Sequence, residues 1–155
     1  MNVVVSDTSP LNYLVLCELD SILPKTFEEI IIPPAVRLEL QHAKTPAVVR
    51  AWLDRPPAWL RVQAPDKIDL SINLDVGERE AVCLASELSL PLVVDDLRAR
   101  WLAQSRGLRV IGTVGICVTA AQAGLIDLAD AVRRLQAAGL RLDSALVKSV
   151  LRKNS

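Results

Sequence analysis

The sequence predicts an α/β fold built on a parallel sheet covered on both faces, and three observations carry that prediction. Short unbroken apolar runs (Val3-Val4-Val5, Ile30-Ile31-Ile32 and Leu92-Val93-Val94) alternate with helix-patterned segments. Strands buried on both faces read as continuous aliphatic runs, not as alternating ones. The runs also end in acids or lead to one: Asp7 follows the first, Asp95-Asp96 the third, and the second passes through Pro33-Pro34 to Glu39. The carboxyl edge of such a sheet is where open α/β folds bind ligands.

Element by element, a strand is expected at 2–6, then a helix from Pro10 to about Leu19 and a short turn or helix near 21–25. A second strand occupies about 28–32. Pro33-Pro34 starts a helix to about Gln41, because proline is tolerated in the first turn. A helix at 46–54 is stopped by Pro56-Pro57, and a short strand follows at 59–63. Asp75 to Glu87 is strongly helix-patterned, with Val76, Ala81, Val82, Leu84, Ala85 and Leu88 as its apolar set. Pro91 opens a strand at 92–94, and helix 97–106 ends at Gly107, a favourable residue just past a helix. Strand 108–111 leads through Gly112-Thr113 to helix 114–123, stopped by Gly124. Helices at 127–138 and 143–152, separated by Gly139, complete the chain.

At 155 residues the size prior is a single domain spanning 1–155, long enough to bury a substantial core. No apolar run approaches membrane-spanning length, and no basic segment precedes an apolar one at the N-terminus. Cys17, Cys83 and Cys117 are an odd number without CxxC spacing, set among aliphatic residues. They are expected to be reduced, buried small hydrophobes of a cytoplasmic protein. Basic and acidic side chains balance at 18 each, but unevenly: residues 1–78 carry 7 basic and 11 acidic groups, residues 79–155 the reverse. That split suits an acidic pocket with a basic flank and argues against a general nucleic-acid-coating protein.

Several carboxylates gathered at one sheet edge repel one another unless a cation sits between them. Each candidate also has a plain structural role. Asp7 can cap the following helix, or Ser9 or Thr8 can do so and leave Asp7 free for a metal. Glu39 can be a solvated helical acid, although its place toward a helix C-terminus is not where the dipole favours one. Glu78, three residues after Asp75, completes a capping box, and Glu80 competes with it for any further role. Of the adjacent acids Asp95 and Asp96, capping needs only one. Arg98 and Arg100 follow and could neutralise the pair or bind phosphate. Thr113 can cap its helix or contact a phosphate at the helix N-terminus. The single histidine, His42, rules out a zinc cluster, and no dinucleotide or P-loop motif is present. Trp52, Trp59 and Trp101 are expected to be core or interface anchors rather than base-stacking platforms.

Taken in order, Asp7, Glu39, Glu78, Asp95-Asp96 and Thr113 resemble the PIN-domain ribonucleases. The stretches around Ser6-Asp7-Thr8-Ser9-Pro10, Ile32-Pro33-Pro34 to Glu39, Gly77-Glu78-Arg79-Glu80, Val94-Asp95-Asp96 and Gly112-Thr113 carry the likeness, which spans roughly residues 2 to 150. The chain looks most like a prokaryotic PIN-like subgroup related to the VapC toxins of toxin–antitoxin pairs. The resemblance implies a three-layer α/β/α sandwich with a mostly parallel five-stranded sheet in order 3-2-1-4-5. It implies Asp7, Glu39 and Asp95 or Asp96 as metal ligands, Glu78 as the third acid, and Ser9 and Thr113 as supporting groups. Two features depart from the family pattern: its third acid is usually Asp, and its Thr-Asn-Asp or Thr-Arg-Asn turn is here Val94-Asp95-Asp96, so either Asp can align.

The expected function is therefore a Mg²⁺- or Mn²⁺-dependent endoribonuclease, with a toxin role as one form of it and Arg98 and Arg100 as candidates for the RNA backbone. The resemblance also implies a homodimer and admits a small antitoxin that places a basic side chain in the acid pocket. The first alternative is a catalytically weak or inactive PIN-like module binding RNA or protein. A phosphatase- or receiver-type domain ranks behind it, because Asp7-Thr8-Ser9 lacks a second Asp and the acid pair follows the wrong strand.

Overall fold

A computed structural model of the chain describes residues 2–153; the expected span of 1–155 exceeds this by Met1, Asn154 and Ser155. Five strands form one sheet: β1 (Asn2–Ser6), β2 (Phe27–Ile32), β3 (Leu60–Val62), β4 (Leu92–Val93) and β5 (Val110–Ile111). Their order is β3-β2-β1-β4-β5, as expected, and every pairing is parallel rather than mostly so.

The aliphatic runs explain the sheet directly. Successive residues of a strand face opposite sides, so Val4, Ile30, Ile32 and Val93 enter one core cluster while Val5, Ile31, Leu92 and Val94 enter another. The first layer is closed by α1 (Thr8–Leu16), α3 (Pro34–Leu40), α4 (Ala47–Asp54), α7 (Thr113–Gln122) and α8 (Leu128–Ala137). The second is closed by α5 (Val76–Leu88) and α6 (Leu97–Ser105). A 3₁₀ turn at Asp20–Ile22 and the short α2 (Leu23–Thr26) precede β2, and α9 (Ser144–Lys153) packs beside α8. Helices on both faces make this a three-layer α/β/α sandwich.

Several boundaries differ from expectation, and for α1, β4 and β5 the reasons are local. The first helix begins at Thr8, not Pro10, since proline in a first turn lacks only an N–H the helix does not use. It ends at Leu16 because Glu18 adopts a left-handed conformation (φ 58°) and the Leu19 N–H turns back to Leu14 O at 2.7 Å. The expected strands 92–94 and 108–111 are each two residues long, although the ladder continues through Leu92 N–H to Arg109 O and Val94 N–H to Ile111 O, both 2.9 Å. Cys17, Cys83 and Cys117 are buried free thiols. No helix among the described residues is long and apolar enough to cross a membrane.

Candidate active site

Strand order reverses direction at β1 and β4, and Asp7 lies at that switch point. It follows the last residue of β1, and its N–H donates to Val93 O of β4 at 2.9 Å. Asp7 occupies the N-cap position of α1, yet its side chain makes no capping hydrogen bond. The carboxylate is buried while its capping role is unused. Burial pushes its pKa from 3.8 up to about 8; the Thr8 backbone N–H opposes that shift, and the charges of Glu78, Asp75 and Glu39 add to it.

Glu39 reaches this site from α3. Its carboxylate accepts the Thr8 hydroxyl, the first side chain of α1. Gly77 at the start of α5 makes room for it, because a Cβ there would lie 2.9 Å from Glu39 Cδ and 3.0 Å from Oε2. The Glu39 carbonyl also accepts the Thr45 hydroxyl at 2.7 Å, so the turn after α3 is fastened to the same residue.

Glu78 and Asp75 come from the start of α5. Asp75 caps that helix by accepting the Glu78 N–H at 2.8 Å, the expected capping interaction. This leaves the Glu78 carboxyl to face other acids. Its pKa is pushed up to about 7, first by burial and then by the charges of Asp75 and Asp96. Glu80 is occupied elsewhere: its Oε1 accepts the Ala35 N–H at 3.1 Å, holding the start of α3 against α5.

The adjacent acids Asp95 and Asp96 divide their roles. Asp95 turns toward β5 and α7, accepting the Thr113 N–H at 2.8 Å and the Thr113 hydroxyl at 2.6 Å. Asp96 caps α6 through the Ala99 N–H at 3.0 Å and acts electrostatically on Glu78. Electrostatically, Asp7 feels Glu39, Asp75 and Glu78, and Glu78 feels Asp75 and Asp96, while Asp95 and the fully buried Thr113 form a separate tie between β4 and α7.

The remaining candidates lie around this cluster. Ser9 lines a polar groove of about 350 Å³ beside Glu39, with Asn12, His42 and Lys44. Arg98 Nη2 donates to Asn73 O at 3.1 Å. Arg100 lies on the Asp95 side, close enough to Gly112 that a Cβ there would be 2.6 Å from its Nη1 and 3.3 Å from Asp95 Oδ1. Sequence reasoning passed over Thr8 as a partner of Glu39 and Asp75 as a member of the charge cluster; it noted that Gly77, just before Glu78, permits a close approach, but not that Glu39 makes it.

The donor set is oxygen only, which suits a hard cation. Among the described residues no three Asp, Glu, His or Cys side chains converge as one metal-binding group. Mg²⁺ retains several waters and is commonly held by one or two carboxylates plus substrate phosphate. By donor chemistry, and because no Lys or Arg among the described residues forms a salt bridge to these acids, the cluster fits such an ion, with Asp7 its most buried carboxyl.

Comparison with known proteins follows the same lines. A family model described as a PIN domain matches residues 3–155. Three chains of solved structure match. One is a PilT N-terminus domain protein from the hyperthermophilic archaeon Sulfolobus solfataricus, 22% identical, with a TM-score of 0.54 over 74% of this chain and 89% of that one. At that identity the likeness supports the fold. No curated protein matches.

Proposed function

Because the chain belongs to the PIN-domain family, with its nuclease-type fold, we propose that it is a metal-dependent endoribonuclease cutting RNA phosphodiester bonds. The observation that carries this reading is the buried, uncapped Asp7 carboxylate among Glu39, Asp75 and Glu78 at the carboxyl edge of the central strands. Asp7, Glu39 and Asp96 would hold a Mg²⁺ or Mn²⁺ ion, with Glu78 as the further acid. Bound there, the ion would lower the pKa of a water and offset charge on the phosphate.

The chain's own groups have separable tasks. Thr8 and Gly77 fix the Glu39 carboxylate, one by donating a hydroxyl and the other by leaving room. Thr113 keeps Asp95 occupied, so Asp96 is the acid of that pair left toward Glu78. Glu78 would stand as the further acid beside the ion; its pKa of about 7 belongs to the ion-free protein, and a bound cation would lower it. Arg98 has four N–H donors beyond the one that meets Asn73 O and would contact the RNA backbone; Arg100 would do so on the Asp95 side.

The test is cleavage of a mixed structured and unstructured RNA pool with Mn²⁺, with Mg²⁺ and with EDTA, using wild type, Asp7→Asn and Asp96→Asn. Metal-dependent cutting that the substitutions remove supports the reading; metal-independent cutting, or unchanged cutting by folded Asp7→Asn, rejects it. A toxin role adds growth arrest on expression of wild type but not of Asp7→Asn. The absence of three converging metal-binding side chains among the described residues favours a second reading, a non-catalytic RNA- or protein-binding PIN-like module. It predicts binding without turnover at any metal concentration.

A further inference from the structure

The outer face of α6 carries an apolar surface that the fold leaves unused. Leu97 and Trp101, four residues apart and so on one helix face, are 81% and 71% exposed. Trp52 and Trp59 instead pack against the core and each other, with ring centroids 5.9 Å apart. Exposed tryptophan beside exposed leucine is the kind of surface that marks a binding site. Of the expected core or interface roles, exposure removes the core one for Trp101.

Trp101 borders a groove of about 480 Å³ together with Ser71, Ile72, Asn73 and Arg98. Ile72, buried, lies at its base. Arg98 ties α6 to Asn73 O at 3.1 Å, and Arg106 meets Asp69 Oδ2 at 2.8 Å. Asp69 also accepts the Ser71 N–H at 3.0 Å and the Ser71 hydroxyl at 2.6 Å, so the opposite wall is fixed before any ligand arrives.

The groove starts where the acid cluster stops. Asp96 caps α6 and Leu97 is the next residue; Asp75 caps α5 and the exposed Val76 is the next. From Asp96 to Trp101 the helix rises about 7.5 Å, within reach of the nucleotides flanking a phosphate at the cluster.

We propose that Trp101 is a stacking platform for an unpaired base of an RNA strand whose phosphate lies at the acid cluster, an inference that rests on the ribonuclease reading. Continuity with the acids and the spare guanidinium donors of Arg98 select a polyanionic strand as the occupant. An aromatic face takes any base and requires it to be unstacked, so the platform favours single-stranded RNA over duplex.

The experiment mixes protein with short oligoadenylate in Mn²⁺ and follows tryptophan fluorescence and its quenching by acrylamide in the first moments, before turnover. Wild type, Trp101→Ala and Trp101→Phe are compared, with duplex RNA as control and sedimentation of each protein alone. RNA should shield the indole in wild type, and duplex should not. Trp101→Ala should bind about tenfold more weakly and raise KM by the same factor with kcat retained, whereas Trp101→Phe keeps most of the affinity. The exposed position leaves thermal unfolding of both variants near wild type.

Equal RNA affinity in wild type and Trp101→Ala overturns the platform, while metal-dependent cleavage by both would leave the ribonuclease reading standing. Shielding without cleavage supports the platform and removes that reading. A dimer that Trp101→Ala dissociates, without RNA shielding, assigns the face to a second copy and overturns the proposal.

Discussion

Replacing Asp7 with Asn should make the metal-free protein more stable at neutral pH, by an amount that grows as pH rises. The Asp7 carboxyl has a folded pKa of about 8 against 3.8 as its ordinary value, chiefly through burial. The folded state therefore holds this proton over a range where the unfolded chain has lost it. Stability is complete below about pH 4 and declines as pH rises toward 8, the reverse of a salt-bridged aspartate. Each pH unit in that window is worth about 1.4 kcal/mol, so wild type loses roughly 3 kcal/mol from Asp7 between about pH 5 and pH 7. Asn keeps the shape without the charge and lacks this slope. Urea unfolding in EDTA, for both proteins across that range, measures the difference directly. Curves that stay parallel from pH 5 to pH 7 would refute the argument that the burial of Asp7 outweighs the compensation from the Thr8 N–H.

Further outcomes follow from the same geometry. Gly77→Ala should push Glu39 off its Thr8 contact and reduce cleavage at least tenfold, while stability measured by thermal unfolding changes by no more than about 1 kcal/mol, the scale of the helix gain from alanine. Thr113→Val leaves Asp95 without its hydroxyl partner and should cost about 1–3 kcal/mol by urea unfolding. Asp96→Asn removes one of the charges that raise Glu78, so the Glu78 pKa should fall below about 7 in a carboxyl NMR titration while burial and Asp75 keep it above the usual 4.5. Saturating Mn²⁺, at about a hundred times its Kd, should stabilise wild type by about 2.7 kcal/mol in thermal unfolding, and EDTA should abolish both that gain and cleavage.

The sheet was legible because aliphatic runs such as Ile30-Ile31-Ile32 admit few placements other than a strand covered on both sides. Asp7 was legible for the same reason, since the end of β1 fixes its position at the switch point. The division between Asp95 and Asp96 was not, because it is made by Thr113, 18 residues further along the chain. Asp75 looked like a helix cap and is one, but only packing shows that the same side chain also acts on Asp7 and Glu78. Trp101 escaped because an i, i+4 pair of apolar residues reads alike whether it faces the core or solvent, and here both Leu97 and Trp101 face out.

The most direct test of the acid cluster as a cation site is calorimetric titration of Mn²⁺ into wild type and Asp7→Asn near neutral pH, repeated in buffers of different ionisation heat. Binding to wild type accompanied by proton release, and lost in Asp7→Asn, is the predicted result, because carboxyls held protonated by burial must give up protons to bind a metal. Equal binding by both proteins, or none by folded wild type, would contradict it.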